Sequence, residues 1–116
     1  MRIICTPFYH RLATRFNSAG IAVVGPDHIG HGASPGVRAH VRRFSDYLEP
    51  LTALRERIKE WYPDKPVFLL GHSMGGLISA HALLVSQKSY HGAMFSGPAF
   101  TAVDPVSVPV MWIGRL

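Results

Sequence analysis

Val67-Phe68-Leu69-Leu70-Gly71-His72-Ser73-Met74-Gly75-Gly76 is the stretch that decides the fold. Its apolar opening, Val67 to Leu70, has the pattern of a buried strand of a parallel sheet. Gly71 to Gly75 then spells G-x-S-x-G, and a helical pattern runs from Gly75 to about Ser86. Strand, sharp turn and helix in that order form the setting of a nucleophile elbow. Such a turn lifts a serine hydroxyl into a cleft at the carboxyl end of the strand. Glycine is expected at both flanks, because a Cβ at Gly71 or Gly75 would meet the neighbouring strand or helix. Gly76 is expected to let the helix lie close to the sheet. Met74 would offer its backbone N–H to an oxyanion, and the N-terminus of the helix favours negative charge there. The plainer alternative is a glycine-rich turn with an ordinary serine. The strand before the motif and the helix after it favour the elbow.

Working outward, strand and helix patterns alternate, which predicts an α/β fold with a parallel sheet. Tyr9 to Ala19 reads as a helix with Leu12, Ala13, Phe16 and Ala19 on one face, closed by a left-handed Gly20. Ile21 to Val24 reads as a strand buried on both faces. Residues 25–41 form a loop rich in Gly, His and Pro. Ser45 is the expected cap of a helix reaching about Trp61, with Tyr47, Leu51, Leu54, Ile58 and Trp61 at helical spacing. Pro50 fits only if the regular helix begins close to it. Gly92 to Ser96 reads as a further short strand. The tail from Pro98 has no clear period. This adds up to about three strands, with Gly92–Ser96 left as an unpaired edge and the isolated chain poorly stable.

A length of 116 residues allows one domain, and 47% hydrophobic against 16% charged residues excludes a disordered chain. The net charge is +5. Arg55, Arg57 and Lys59 interleave with Glu56 and Glu60 and read as a solvated helix face. Arg38, Arg42 and Arg43 could meet lipid headgroups, though a surface loop is the simpler reading. No zinc-finger spacing, aromatic RNA-binding motif or long basic run is present, so no nucleic-acid partner is expected. Cys5 is the only cysteine, which rules out a disulfide framework. No stretch has the length of a membrane span, and the start is too short for a signal peptide. The expected location is cytoplasmic, with room for peripheral membrane contact.

A second motif, Asp27-His28-Ile29-Gly30-His31-Gly32-Ala33-Ser34, follows the predicted Ile21–Val24 strand. That places it at the carboxyl edge of the sheet, where open α/β sheets bind ligands. Asp27, His28 and His31 are expected to fix this loop through bonds to backbone groups. A metal site on Asp27, His28 and His31 lacks a convincing remaining ligand set, so no metal and no cofactor is expected.

With both motifs in view, the chain resembles the monoacylglycerol lipases and the related lysophospholipase-type serine hydrolases of the α/β-hydrolase fold. Tyr9-His10-Arg11-Leu12-Ala13, Tyr62-Pro63 and Ser96-Gly97-Pro98 support the resemblance, which spans about residues 9–99. It implies that Ser73 is the acyl-accepting nucleophile, that Met74 gives one oxyanion N–H, and that Gly71, His72 and Gly75 shape the elbow. Asp27, His28, Gly30, His31 and Gly32 form the supporting loop. The implied substrates are monoacylglycerols or similar single-chain lipid esters, with no cofactor.

The resemblance also sets what is missing. Acyl transfer needs a base for the serine and an acid to orient it, and in this fold both follow the serine. Asp104 is the only later acid and comes too early for the triad position. His81 lies along the following helix, His91 precedes a strand at the wrong end of the sheet, and His72 points elsewhere. None of the seven histidines is expected to be the base. The loop that supplies the second oxyanion donor should lie just before Tyr9, and Arg2 to Phe8 do not match it. Complete members are roughly twice this length or more. The chain therefore reads as a truncated hydrolase domain, 1–116, without cap, C-terminal strands or triad Asp and His, and inactive alone. The competing readings are a non-catalytic short product that binds lipid or protein, and a basic binder with salt-sensitive affinity.

Overall fold

The computed structural model describes residues 9–100. Residues 1–8 and 101–116, Cys5 and Asp104 among them, lie outside the described residues. The chain divides into two compact units, Met1–Pro63 and Asp64–Leu116.

In the first unit, helix α1 spans His10–Ser18 and buries Ala13. It stops where Gly20 turns to φ +80. The Ile21 N–H donates to the Phe16 carbonyl at 2.9 Å, and the Gly20 N–H to the Asn17 carbonyl at 3.0 Å. These two bonds satisfy carbonyls that the helix end would leave open, and glycine takes the left-handed turn without a Cβ penalty. The predicted Ile21–Val24 strand does not form among the described residues, and Ile21 is exposed. A strand exists through bonds to a neighbouring backbone, and no described segment of this unit supplies one.

A 3-10 turn at Phe44–Tyr47 leads into helix α2, Leu48–Trp61. Ser45 is not the cap; it lies inside the turn. The Asp46 N–H donates to the Arg43 carbonyl at 3.0 Å, and the Arg43 N–H donates back to the Asp46 carboxylate at 3.3 Å. A carboxylate one position later outcompetes the hydroxyl because it can close this reciprocal pair. Pro50 falls in the first turn of α2, where its missing N–H has no intrahelical partner to lose. The predicted face holds: Tyr47 is buried and Leu51, Leu54 and Ile58 are half-buried, while Trp61 is exposed. On the outer face Lys59 pairs with Glu56 at 2.7 Å and Arg57 with Glu60 at 3.9 Å. Such exposed pairs add little stability.

The second unit is a βαβ unit. Strand β1, Phe68–His72, is followed by helix α3, Met74–Ser86, a 3-10 turn at Gln87–Ser89, and strand β2, Gly92–Ser96. The strands pair in parallel, with Phe68 opposite Gly92 and His72 opposite Ser96. Leu69 and Gly71 face inward, and α3 contributes Gly76, Ile78, Ser79 and Ala82 to the same core. The other face of the sheet is open: Phe68 is 59%, Leu70 45% and Met94 52% exposed. The apolar run of β1 therefore has one covered face rather than two, because α3 is the only element of this unit packed on it among the described residues. Among the described residues no helix is long and apolar enough to cross a membrane.

Candidate active site

β1 does not end before the motif; it runs through Gly71 and His72, and α3 begins at Met74. Ser73 is the single residue between them. It takes φ 53, ψ −121, a conformation that side-chain-bearing residues rarely adopt. The Ser73 side chain is exposed. Its N–H donates to the Ser96 carbonyl at 3.1 Å, and its carbonyl accepts from Ala99 N–H at 3.1 Å and from Gly76 N–H at 2.9 Å. Met74 and Gly75 occupy the first turn of α3, so their N–H groups have no partner within the helix. The positive end of the helix dipole therefore sits directly after the serine.

The glycines divide by what a side chain would meet. A Cβ at Gly71 would lie 2.5 Å from the Gly75 carbonyl oxygen and 2.7 Å from the Gly76 Cα. One at Gly76 would lie 2.7 Å from the Pro98 Cβ. One at Gly75 meets nothing within 4 Å among the described residues. The expected collision at Gly75 is thus absent. The close approach is between β1 at Gly71 and the helix backbone at Gly76, one residue further along. Gly75 points its missing side chain away from both.

The histidines of this unit have other employment. The His72 Nδ1 lies 3.3 Å from the Ser96 hydroxyl oxygen. His91 accepts the Val67 N–H on ring Nδ1 at 3.0 Å, and its backbone N–H donates to the Val67 carbonyl at 2.8 Å. That fixes His91 at the start of β1, the end opposite Ser73. His81 is half-buried within α3.

Asp27, His28, Gly30, His31 and Gly32 come together in the first unit, in a loop built around one carboxylate. Asp27 accepts the Ala33 N–H at 3.0 Å, and its carbonyl accepts a short bond from the Ser34 hydroxyl. Gly32, at φ +52, leaves its Cβ position to the Asp27 carboxylate. Gly30, at φ +72, donates to the Pro35 carbonyl at 3.0 Å and accepts from Ala39 N–H at 3.2 Å. The His31 Nδ1–H donates to the Ile29 carbonyl at 3.0 Å, and Arg38 reaches the Gly32 carbonyl at 3.1 Å. The His28 ring stands edge-on to Tyr47, with centroids 5.3 Å apart. Burial pushes the His28 imidazole below its ordinary value, His31 adds to the fall, and Asp27 opposes it. Its Nδ1 is buried without a hydrogen-bond partner among the described residues. No group of three metal-ligating side chains occurs among the described residues.

Residues 6–116 match the family model Hydrolase_4, described as serine aminopeptidase, S33. The chain belongs to this family. It is 40% identical over 109 residues to a monoacylglycerol lipase of Mycolicibacterium smegmatis, covering 93% of this chain and 39% of that protein. It is 36% identical over 94 residues to a monoglyceride lipase of Rattus norvegicus, covering 81% of this chain and 31% of that protein. The crystal structure of a Paleococcus ferrophilus monoacylglycerol lipase superimposes with a TM-score of 0.70 at 24% identity, over 95% of this chain and 40% of that one. The fold is therefore that of the α/β hydrolases, and this Hydrolase_4 chain spans well under half the length of these relatives. Two groups at the elbow were not anticipated as members of the site: the Ser96 carbonyl and the Ala99 N–H. Their signal was the Gly97-Pro98 pair after a strand, a turn signature that returns the chain toward its neighbour.

Proposed function

We propose that this chain is the nucleophile-bearing part of a serine ester hydrolase of the monoacylglycerol lipase type, with residues 1–116 belonging to one hydrolase domain. The observation that carries it is Ser73, exposed, at φ 53 and ψ −121 between β1 and α3. A turn so unfavourable persists only where the surroundings over-determine it, and such turns cluster at functional sites. Membership of the family and the similarity to two lipases over most of this chain support the same reading.

In this mechanism the Ser73 Oγ attacks the ester carbonyl. The Met74 N–H, at the positive end of α3, donates to the oxyanion that forms. Collapse of the tetrahedral intermediate expels the alcohol and leaves an acyl-serine, which water then hydrolyses to the free acid. The proton of Ser73 needs a base, and the alcohol needs it back. The His72 Nδ1 meets the Ser96 hydroxyl rather than Ser73, and His91 sits at the far end of β1, so neither is placed as the base. Base and orienting acid come from sequence beyond these residues, following the serine as the family order requires. The substrate class is a single-chain lipid ester, an acylglycerol or lysophospholipid. The 116-residue chain alone is inactive because an unassisted serine hydroxyl is a weak nucleophile.

Fluorophosphonate labelling of native extract, followed by the mass of the protein carrying the Ser73 peptide, tests this. Labelling on a protein of about 30 kDa, the size of a complete hydrolase domain, supports it. Labelling at 12.8 kDa would show that the short chain activates Ser73 by itself. No labelling of Ser73 at any mass would favour a non-catalytic product.

A further inference from the structure

Ser73 is held from outside its own strand and helix. Its N–H donates to the Ser96 carbonyl at 3.1 Å, and its carbonyl accepts the Ala99 N–H at 3.1 Å. Both partners belong to one four-residue segment, Ser96-Gly97-Pro98-Ala99, which leaves the end of β2. Three further features make the segment specific. Gly97, at φ +50, reverses the chain so that Ala99 faces back toward the serine. Pro98 lies against Gly76, so near that a Cβ on Gly76 would sit 2.7 Å from the Pro98 Cβ. The Ser96 hydroxyl meets the His72 ring at 3.3 Å, on the residue before the nucleophile. Ser73 thus has both backbone polar groups tied to the same segment, while Gly76 behind it is stopped by proline. A left-handed serine left to the strand and helix alone would relax toward an ordinary conformation.

The geometry points to Ser96–Ala99 as a positioning clamp that holds Ser73 in its elbow conformation and so sets the placement of the attacking hydroxyl. The clamp touches no substrate; it acts through the backbone of Ser73. It rests on the hydrolase reading for its consequence, and on the two backbone bonds for its existence.

Ala99→Pro tests it: proline lacks the N–H that reaches the Ser73 carbonyl, and its ring also fixes φ at residue 99 and restricts Pro98. Ala99→Ser keeps that donor and is the conservative control. Both are made in the gene product at its natural length. Ala99→Pro is expected to lower kcat and the rate of Ser73 phosphonylation by about tenfold or more, with KM changed less than about twofold. Ala99→Ser is expected to match the parent. Hydrogen exchange at the Ser73 and Gly76 amides is expected to quicken in Ala99→Pro while exchange in the later turns of α3 stays unchanged. Parental kcat in Ala99→Pro would overturn the clamp, as would an unprotected Ser73 amide in the parent. If Ala99→Pro does not fold, Gly97→Ala strains the turn without removing a bond. A smaller loss in kcat at constant KM supports the clamp there, and parental kcat overturns it. A parent in which Ser73 is never labelled breaks the hydrolase reading instead, and the exchange measurement then still decides the clamp.

Discussion

The elbow at Ser73 and the loop at Asp27 are both tight, glycine-rich turns, yet they are held in different ways. At the elbow the constraints are mostly backbone: the Ser96 carbonyl, the Ala99 N–H, and the contact of Gly71 with the Gly75–Gly76 backbone. At the loop side chains join the backbone bonds: the Asp27 carboxylate occupies the space a Gly32 Cβ would need and accepts Ala33 N–H, and Ser34, His31 and Arg38 donate to backbone carbonyls. A backbone-held turn keeps its shape when its side chains change, so it can display a reactive serine. A turn held partly by side chains is only as firm as those residues.

Substitutions separate the two. Removing the nucleophile has the largest effect and touches chemistry alone. Ser73→Ala in the natural-length gene product should lower ester hydrolysis by about a thousandfold or more and abolish fluorophosphonate labelling, with unfolding unchanged. Activity that survives this change would detach the elbow from catalysis.

Gly71→Ala comes next. Its Cβ would press on the helix backbone at 2.5 Å and 2.7 Å, neither of which is a flexible side-chain end. A loss of about 1–3 kcal/mol in urea unfolding is expected. Gly75→Ala is the matched contrast, because its Cβ has open space and alanine suits a helix; stability should hold or rise by up to about 1 kcal/mol. Equal losses at the two glycines would contradict the asymmetry in packing.

Asp27→Ala should cost about 1–2 kcal/mol, as expected when a carboxylate that accepts a backbone N–H is lost. Hydrogen exchange should quicken at residues 28–34 and stay unchanged at 73–76. An undisturbed loop would mean that its glycines suffice without the carboxylate.

The smallest effect is with pH. Burial holds the His28 imidazole below its ordinary value of 6.5. The unfolded chain then takes up a proton more readily than the folded one as pH falls below about 6.5. The stability His28 contributes is complete above that value and is lost as pH drops through the folded pKa. His28→Gln should flatten this part of the stability–pH curve. A curve of the same slope in both proteins would remove His28 as its source.

Much of the elbow is legible in the sequence. Val67 to Leu70 announced β1, the glycine spacing announced the turn, and Gly92 to Ser96 marked β2 to the residue. These are local signals, set by a short run of apolar residues and by where a chain can turn. Ile21 to Val24 had a similar apolar signal and formed no strand among the described residues, since composition cannot say whether a partner lies alongside. Ser45 looked like a cap, but Asp46 closes the turn, because the reciprocal bond with Arg43 depends on how the 3-10 turn orients its carboxylate.

By itself, the sequence determined an α/β chain with a serine on a strand-to-helix turn, while the family came from resemblance to two motifs taken together. Those follow from periodicity, turn chemistry and a motif, each contained within about ten residues of chain. The tertiary structure decided which glycine lies against the helix, which face of β1 is covered, and which backbone groups grip Ser73. These depend on atoms far apart in sequence, Ser73 with Ser96 and Ala99 above all, brought together only when β2 pairs beside β1.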